Sequence, residues 1–283
     1  MGAFAGKSGA FFDLERIAKA AAQSSSPALI LGELGVGKRA FARRLHSEGA
    51  RNSAPFVEVN CAFEPLDEAG FFERLAAAGN GSLFLDEVSS LSQEAQEAAL
   101  KAFSQGKIGG GGARLVCASS QDLERAAAEG KFLLALFDKL NAVCVRIPPL
   151  RERKDDILPL AEFFLRKFSA ETKKNFTGFS DDANSALLAY DWPGNIRELK
   201  NSIERACLLG TPPLVRAQHF GMERADAYVP QSGQSLKDAV TAFKKHYVER
   251  ALRSMGKNQA EVAAALGIQR TYLSRLLLEL GIR

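Results

Sequence analysis

The chain has 283 residues, 46% of them hydrophobic and 25% charged, which is ordinary for a globular protein with one large domain and one or two small ones. Its four cysteines lie far apart and form no C-x-x-C pair, so we expect buried thiols and no disulfide framework or zinc site. No apolar run approaches the roughly 20 residues of a membrane helix, and no signal-peptide pattern opens the chain, so we expect a cytoplasmic protein with no membrane partner.

The net charge of +4 is unevenly distributed along the chain. Residues 235–283 contain nine lysine and arginine residues and four acidic residues, a net charge of +5, so the rest of the chain is close to neutral. A basic C-terminal segment on a neutral body indicates contact with a polyanion. A solvated basic face would produce the same pattern.

The first 150 residues alternate between strand and helix patterns. Short apolar runs predict buried strands at 28–31, 56–59, 82–85, 114–117 and 143–147. Helical periodicity covers residues 11–22, 38–47, 67–78 and 92–104. The alternation predicts an α/β fold with a parallel sheet that is covered on both faces.

After residue 150 the strand patterns stop. Helical periodicity at 155–170, 181–190 and 195–209 predicts an all-helical subdomain. Residues 225–235 lack periodicity and contain turn-forming residues, which predicts a linker. We therefore divide the chain into an α/β subdomain, a helical subdomain, a linker and an all-α C-terminal domain, with the bounds 1–152, 153–224, 225–235 and 236–283.

A glycine-rich segment, Gly32-Glu-Leu-Gly-Val-Gly-Lys38, fits G-x-x-x-x-G-K between a predicted strand and a predicted helix. In such a P-loop, backbone N–H groups and the positive end of the following helix bind phosphate oxygens, and the lysine reaches the outer phosphates. The sequence therefore predicts a nucleotide site. Its candidate binding residues are Gly32, Glu33, Gly35, Val36, Gly37, Lys38 and Arg39.

Two acids, Asp86 and Glu87, follow the apolar run 82–85, at the sheet edge where ligands bind in such folds. We expect Asp86 to bind Mg²⁺ and Glu87 to polarise the water that attacks the γ-phosphate. Arg39 stands where a serine or threonine usually ligates Mg²⁺, so the metal would depend on water, phosphate and Asp86. The structural alternative is that the two acids cap the next helix.

Together these motifs resemble the AAA+ central domain of bacterial enhancer-binding proteins, the sigma-54-dependent activators of the NtrC type. The resemblance extends from about Ala28 to the C-terminus. Residues 56–62 are similar to the second-strand signature, which implies that Asn60 couples the nucleotide state to the catalytic glutamate, Glu87. The family binds ATP or ADP with Mg²⁺, and the resemblance implies the same ligands here.

Two further stretches carry the resemblance. Residues 147–157 are similar to the link into the helical lid of the family. Residues 192–199, continuing to Asn201, resemble the sensor II segment, which implies that Arg197 lies near the nucleotide phosphates. A helix N-terminus with a surface arginine is the structural alternative.

The chain departs from this family where the family contacts sigma-54. Only residues 63–79 lie where the family inserts a long helical hairpin tipped by GAFTGA, and that string is absent. Residues 105–112 replace a second contacting loop and contain four consecutive glycines, which predicts a flexible connector. Both parts of the sigma-54 contact are therefore expected to be missing.

The chain also departs from the family in its hydrolytic residues. Ser120 occupies the sensor I asparagine position, and Leu133 and Lys139 occupy the arginine-finger positions. Leucine cannot supply the planar charged fork that an arginine finger offers, and lysine supplies only a point charge. We expect slow or absent ATP hydrolysis, which leaves open whether the chain is an enzyme.

Residues 258–280 fit a helix, a turn at Gly267 and a second helix, and they resemble the Fis-type helix-turn-helix of the same family. The predicted seam between the helices is Ala263, Leu266, Ile268, Leu273 and Leu276. The residues predicted to contact double-stranded DNA are Gln269, Arg270, Thr271, Tyr272, Ser274 and Arg275. A helical hairpin packed on the body is the alternative.

Apolar residues recur at helical spacing in 236–255, a helix that pairs two subunits in the resembled family. The resemblance thus implies a dimer, and a hexamer through the AAA+ domain is the other arrangement. The favoured hypothesis is an ATP-binding, sequence-specific DNA-binding transcription regulator without the sigma-54-contacting loop, with RNA polymerase as a candidate partner. The alternatives are an active ATPase that drives sigma-54-dependent transcription initiation and an architectural DNA-binding protein.

Overall fold

The computed structural model describes residues 6–220, 236–254, 262–263 and 266–282. Contacts divide the chain into two compact units, Met1–Phe220 and Gly221–Arg283. The linker that the sequence predicts at 225–235 lies outside the described residues.

Five parallel strands form the central sheet of the first unit, in the order β2-β3-β4-β1-β5. Their bounds are β1 Ala28–Leu31, β2 Phe56–Asn60, β3 Ser82–Asp86, β4 Arg114–Ser119 and β5 Cys144–Arg146. All five lie where the apolar runs predict them, and their ends differ from the prediction by at most two residues. The predicted α/β fold with a parallel sheet is confirmed.

Helices cover both faces of this sheet. They are α1 Gly9–Ala22, α2 Lys38–Ser47, α3 Glu68–Ala78, α4 Gln93–Ser104, α5 Leu123–Ala128 and α6 Leu134–Leu140. Because side chains alternate along a strand, Leu83 and Leu85 pack in the core with α3, α4 and α6, whereas Phe84 packs in the core with α1 and α2. The sequence analysis did not predict α5 and α6, because six or seven residues are too few to establish a helical period.

The rest of the first unit is mainly helical. Its helices are α7 Ile157–Thr172, α8 Asp181–Ala189 and α9 Asn195–Leu209. The prediction of an all-helical subdomain is wrong in one detail, because β6 (Gly178–Phe179) and β7 (Leu214–Val215) form a small parallel pair. Trp192 is fully buried between α8 and α9, and its indole N–H donates to the Leu187 carbonyl.

The glycine-rich loop between α4 and β4 is not the loose connector that its composition predicts. Arg51 donates to the carbonyl oxygens of Gly110, Gly112 and Asn80, and Ile108 bridges to Ala113. Arg51 thus holds this glycine turn at two carbonyls, those of Gly110 and Gly112.

The second unit contains α10 (Leu236–Ser254) and α11 (Arg270–Glu279), and Val262 and Ala263 are also helical. Gly267 has a φ of 67° in the turn before α11, a conformation that glycine adopts without strain. The buried cluster of this unit is Val248, Val262, Ala263, Leu273, Leu276, Leu277 and Leu280, with Leu266 and Ile268 partly buried against it. It includes every residue of the predicted seam.

Two expectations from composition can be compared with the structure. Cys61, Cys117 and Cys207 are buried free thiols as predicted, but Cys144 is exposed on the edge strand β5. Among the residues that the structure describes, no helix has the length and apolar character needed to span a bilayer.

A buried carboxylate ties the start of the chain to the start of α7. Asp156 has no exposed surface, and its oxygens accept hydrogen bonds from the Lys7 and Ser8 backbone N–H groups and from the Ser8 hydroxyl, at 2.7, 2.7 and 2.8 Å. The Ser8 hydroxyl in turn accepts from the Phe11 N–H and caps α1.

We predict that Asp156→Ala lowers the free energy of unfolding by about 2–4 kcal/mol, because buried donors lose their acceptor. Asp155→Ala, at the exposed neighbouring position, is the matched control and should change stability by less than about 0.5 kcal/mol. Urea unfolding monitored by circular dichroism measures both. Equal stability of the two variants would contradict the structural role of Asp156.

Candidate functional site

The P-loop connects β1 to α2 at the carboxyl end of the sheet. Gly37 caps α2 with a φ of 108°, and Gly35 has a φ of 81°. A Cβ on Gly35 would lie 2.3 Å from the Gly194 carbonyl oxygen and 3.1 Å from the Arg197 Cβ, so no side chain fits there. The N-terminal turn of α2 leaves its amides available at this loop, as an anion site requires.

Lys38 connects the P-loop to the end of β3. Its Nζ donates to the Gly32 and Glu33 carbonyl oxygens at 2.9 and 3.3 Å, and it forms an ion pair with Glu87 at 3.1 Å. The lysine side chain is only 6% exposed. The structure thus brings the predicted phosphate lysine together with the predicted catalytic acid.

Glu87 is held from a second side as well. One of its carboxylate oxygens accepts hydrogen bonds from the Ser120 backbone N–H and hydroxyl, at 2.9 and 2.8 Å. Its backbone φ of 53° turns the chain sharply after β3. The serine at the sensor I position therefore contacts the acid directly, a contact that the sequence analysis did not predict.

Asp86 and Asn60 lie side by side, because the parallel register of β2 and β3 pairs them. Burial, with a smaller contribution from the charge of Glu87, raises the pKa of Asp86. The Asn60 side chain accepts from the Ala62 N–H at 3.1 Å and so caps its own turn. The structure places Asn60 next to Asp86. The predicted coupling of Asn60 to Glu87 stays a prediction.

The group after the P-loop lysine is engaged in an ion-pair cluster. The Arg39 guanidinium donates from Nε to one oxygen of Glu58 at 3.0 Å and from a terminal nitrogen to the other, and Arg43 binds the same carboxylate in the same way. The hydrogen bond with Glu58 is the main cause that raises the pKa of Arg39. Within the described residues, no three histidine, cysteine or acidic side chains form a metal-binding group.

The side chains at this edge of the sheet fit a divalent metal ion poorly. Lys38 and Ser120 bind Glu87, so within the described residues Asp86 is the remaining carboxylate at this edge of the sheet. The Arg39 guanidinium stands where the usual hydroxyl ligand would be. Carboxylate and hydroxyl oxygens are the ligands that Mg²⁺ prefers. The expected Mg²⁺ ligation by Asp86 therefore stays a prediction.

Side chains from beyond β5 close over the P-loop. Asn195 is fully buried with a φ of 53°; its Nδ2 donates to the Glu33 carboxylate and to the Leu34 carbonyl, and its Oδ1 accepts from the Leu150 N–H at 2.7 Å. Arg153 is also buried and donates to the Val36 carbonyl at 2.8 Å.

Glu33 is the second anchor of this closure. Arg151 binds both of its carboxylate oxygens, at 2.6 and 2.9 Å. Hydrogen bonds from Arg151 and then from Asn195 lower the pKa of Glu33 to about 2. Glu33, which the sequence predicts to be a phosphate-site residue, thus binds the lid segment. These contacts join residues more than 100 positions apart, so no local sequence pattern reveals them.

The remaining predicted nucleotide residue, Arg197, lies in the first turn of α9 with an exposed side chain. It is near Gly35, and its charge is among the influences on the pKa of Asp86. By contrast, the two arginine-finger positions lie elsewhere on this chain. The Leu133 N–H donates to the Gln96 side chain, and Lys139 lines a surface cleft with the residues that precede β1, at the sheet end opposite the P-loop.

Of the six residues predicted to contact DNA, Gln269 is the N-cap of α11 and the other five lie in its first six residues. Gln269, Arg270, Thr271, Tyr272 and Arg275 are exposed, and Ser274 is half-buried. The Arg275 guanidinium lies 5.3 Å from the centre of the Tyr272 ring. The Ser274 hydroxyl donates to the Arg270 carbonyl at 3.1 Å, so it bonds within the helix.

Comparison with known proteins places this architecture in a family. Residues 5–150 match the sigma-54 interaction domain, and residues 151–235 match the AAA+ ATPase lid domain. The chain belongs to the sigma-54 interaction domain family. It is homologous to sigma-54-dependent transcription regulators and has their AAA+ fold.

Named relatives support this assignment. The chain is 36% identical to the phenol regulator MopR of Acinetobacter guillouiae, covering 95% of this chain and 54% of MopR. It is 34% identical to the transcriptional activator RocR of Bacillus subtilis, covering 95% of this chain and 66% of RocR, and 34% identical to ZraR of Escherichia coli, covering 90% and 64%. The chain therefore spans between about half and two thirds of the length of these relatives.

Solved structures agree with the fold. NtrX from Brucella abortus, crystallised in complex with ADP and with ATP, is 31% identical, with TM-scores of 0.72 and 0.73 over 98% of this chain and 69% of NtrX. The branch migration motor RuvB of Thermotoga maritima, at 16% identity and a TM-score of 0.54 over 98% of this chain and 88% of RuvB, shares the fold alone.

We predict that Asn195→Ala destabilises the first unit by about 3 kcal/mol, because buried hydrogen bonds are lost and alanine is strained at a positive φ. Asn201→Ala, at an exposed position on the same helix, is the control and should have little effect. Chemical denaturation gives the stability, and limited proteolysis between β5 and α7 reports separation of the lid. Asn195→Ala with unchanged stability and protease resistance would refute the proposed closure.

Proposed function

We propose that the chain is a nucleotide-binding, DNA-binding transcription regulator that hydrolyses ATP slowly or not at all and acts without the sigma-54-contacting loop. The observation that carries the proposal is the P-loop joined to Glu87 through Lys38 and closed by the lid segment. The nucleotide is ATP or ADP, bound by the residues from Gly32 to Arg39 and by Arg197. The crystallisation of NtrX with both nucleotides supports this choice.

Slow hydrolysis follows from the contacts of Glu87. Ser120 donates two hydrogen bonds to one carboxylate oxygen of Glu87, so that oxygen is less available to accept a proton from water. An arginine finger would normally lower the barrier from a neighbouring subunit, and the chain has leucine and lysine at those positions. Bound nucleotide would then act as a structural or switching ligand.

The loss of the sigma-54 contact is supported by the connection between β2 and β3. One helix, α3 with 11 residues, occupies this connection, and the GAFTGA string is absent from the chain. Family membership favours the second candidate function, an active ATPase that drives sigma-54-dependent initiation. A transcription assay with sigma-54 RNA polymerase decides between the two: open complexes formed in response to this chain and ATP would establish the second.

The DNA-binding proposal rests on α11, which we interpret as the recognition helix of a helix-turn-helix. Its buried side is apolar, with Leu273, Leu276 and Leu277, while Arg270 and Arg275 are exposed to solvent. Arginine and glutamine at the start of such a helix suit base edges in the major groove. Because the target would be chromosomal DNA, the proposed site of action is the cytoplasm.

A dimer through α10 would present two such helices to one DNA site. Val240, Phe243 and Tyr247 are 42%, 50% and 55% exposed and follow helical spacing, whereas Val248 joins the buried cluster. Large exposed apolar side chains on one helical stripe are typical of a helix that packs against a second copy. Bound nucleotide would promote a hexamer through the AAA+ unit. RNA polymerase is a further candidate partner.

We predict that Lys38→Ala weakens ATP and ADP binding by at least about tenfold, because the phosphates lose their buried cation. Lys167→Ala, an exposed lysine on α7, should bind like the unchanged protein. Isothermal titration calorimetry measures the affinity, and light scattering with and without ATP gives the oligomer mass. Absence of nucleotide binding by the unchanged protein would leave the architectural DNA-binding alternative.

We also predict that Arg270→Ala and Arg275→Ala each weaken binding to a DNA site selected from a random library by about 1–3 kcal/mol. Arg205→Ala on α9 removes one exposed positive charge from the first unit and is the control. Fluorescence anisotropy at several salt concentrations separates base contacts from phosphate contacts. DNA affinity that is unchanged in both α11 variants would exclude this helix as the DNA-reading element.

A further inference from the structure

Arg39 lies in the first turn of α2, directly after Lys38, where P-loop proteins usually carry the hydroxyl that reaches Mg²⁺. Its guanidinium is not a loose surface group. Two of its nitrogens bind the two oxygens of Glu58, which fixes the plane and position of the fork. The chain therefore has an anchored cation where P-loop proteins usually have a metal ligand.

The Arg39–Glu58 pair lies on the same face of the sheet as Asp86. Side chains alternate along β2, so Phe56, Glu58 and Asn60 share one face of the strand. Phe56 identifies this face as the one that α2 covers, because the His46 ring and the Arg43 guanidinium on α2 both lie against it, at 5.1 and 5.3 Å. Asn60 is paired in register with Asp86, so Glu58 holds Arg39 on the side of the sheet that carries Asp86.

The charges of this cluster disfavour a metal ion and favour phosphate. Arg39 and Arg43 share the single negative charge of Glu58, which leaves one net positive charge. The charge of Asp86 acts on Arg39, so a divalent cation beside Asp86 would be repelled by the arginine. Phosphate oxygens on the P-loop would instead be attracted by Lys38, Arg39 and Arg197 together, without a bound metal.

We propose that Arg39 takes the place of Mg²⁺, so that this chain binds metal-free ATP or ADP about as tightly as the magnesium complex. This proposal rests on the proposed nucleotide site and states which form of the nucleotide, metal-free or magnesium-bound, that site accepts. Arginine provides a permanent charge and a planar fork for phosphate oxygens, but it does not replace the metal-held geometry of phosphoryl transfer. Binding would thus be preserved where hydrolysis is not.

The test is calorimetric titration of the full chain with ADP and with ATP, in excess Mg²⁺ and in excess EDTA. The unchanged protein should bind with dissociation constants that differ by less than about threefold between the two buffers. Arg39→Ser, which restores a hydroxyl at a 64% exposed position, should bind at least about tenfold more weakly in EDTA than in Mg²⁺. Circular dichroism before titration confirms that the variant is folded.

Arg43→Ser is the matched control. Arg43 binds the same carboxylate one helical turn further from the P-loop, and its loss leaves Arg39 with both of its bonds to Glu58. This variant removes the same net charge as Arg39→Ser and should weaken binding alike in both buffers, but it restores no hydroxyl next to Lys38, so it should keep the metal independence of the unchanged protein. A requirement for Mg²⁺ in the unchanged protein, or metal independence that persists in Arg39→Ser, overturns the inference while leaving the nucleotide site in place. No binding in either buffer overturns the nucleotide site itself.

Discussion

The close approach of the lid segment to the P-loop is the constraint on which the rest of the first unit depends. The Gly194 carbonyl lies where a side chain on Gly35 would have to be, and the buried Asn195 bonds to the loop, to its Glu33 anchor and to the chain after β5 at once. The conformation of the phosphate loop is therefore set by residues from both subdomains. A change in the conformation of the loop would have to break or shift these bonds.

A second consequence concerns the balance of charge around the loop. Lys38, Arg39 and Arg197 provide positive charge, while Asp86 and Glu87 provide the acids, and Glu87 is neutralised by its ion pair with Lys38. Affinity for a polyphosphate depends on the summed positive field, whereas hydrolysis depends on one base with a free oxygen and on cations placed for the transition state. Affinity and hydrolysis can therefore separate. This chain retains the groups that bind phosphate more completely than the groups that catalyse hydrolysis.

The sequence predicted the framework well because its signals are local. The apolar runs that became β1, β3 and β4 are buried on both faces, so each of them is unmistakable over four residues or more. Short elements such as α6 and β6 carry too few residues for a period. The contacts of Asn195 and Arg153 with the P-loop join positions more than 100 residues apart, and no spacing rule predicts which distant carbonyl a buried side chain will reach. The position of Asn60 was predictable, but its hydrogen bond to its own turn was not.

Arginines of the first unit that donate hydrogen bonds to the protein itself contrast with the exposed arginines of α11, and this difference bears on function. In the first unit Arg51, Arg114 and Arg153 donate to backbone carbonyls, so their charges serve the internal architecture. On α11, Arg270 and Arg275 are exposed, and Arg275 stacks on Tyr272 in a way that orders its guanidinium while leaving its N–H groups to solvent. Ordered, exposed guanidinium groups lose less entropy on binding an anion than mobile ones. The exposed charges of Arg270 and Arg275 are thus placed for an external anion and not for an internal structural role.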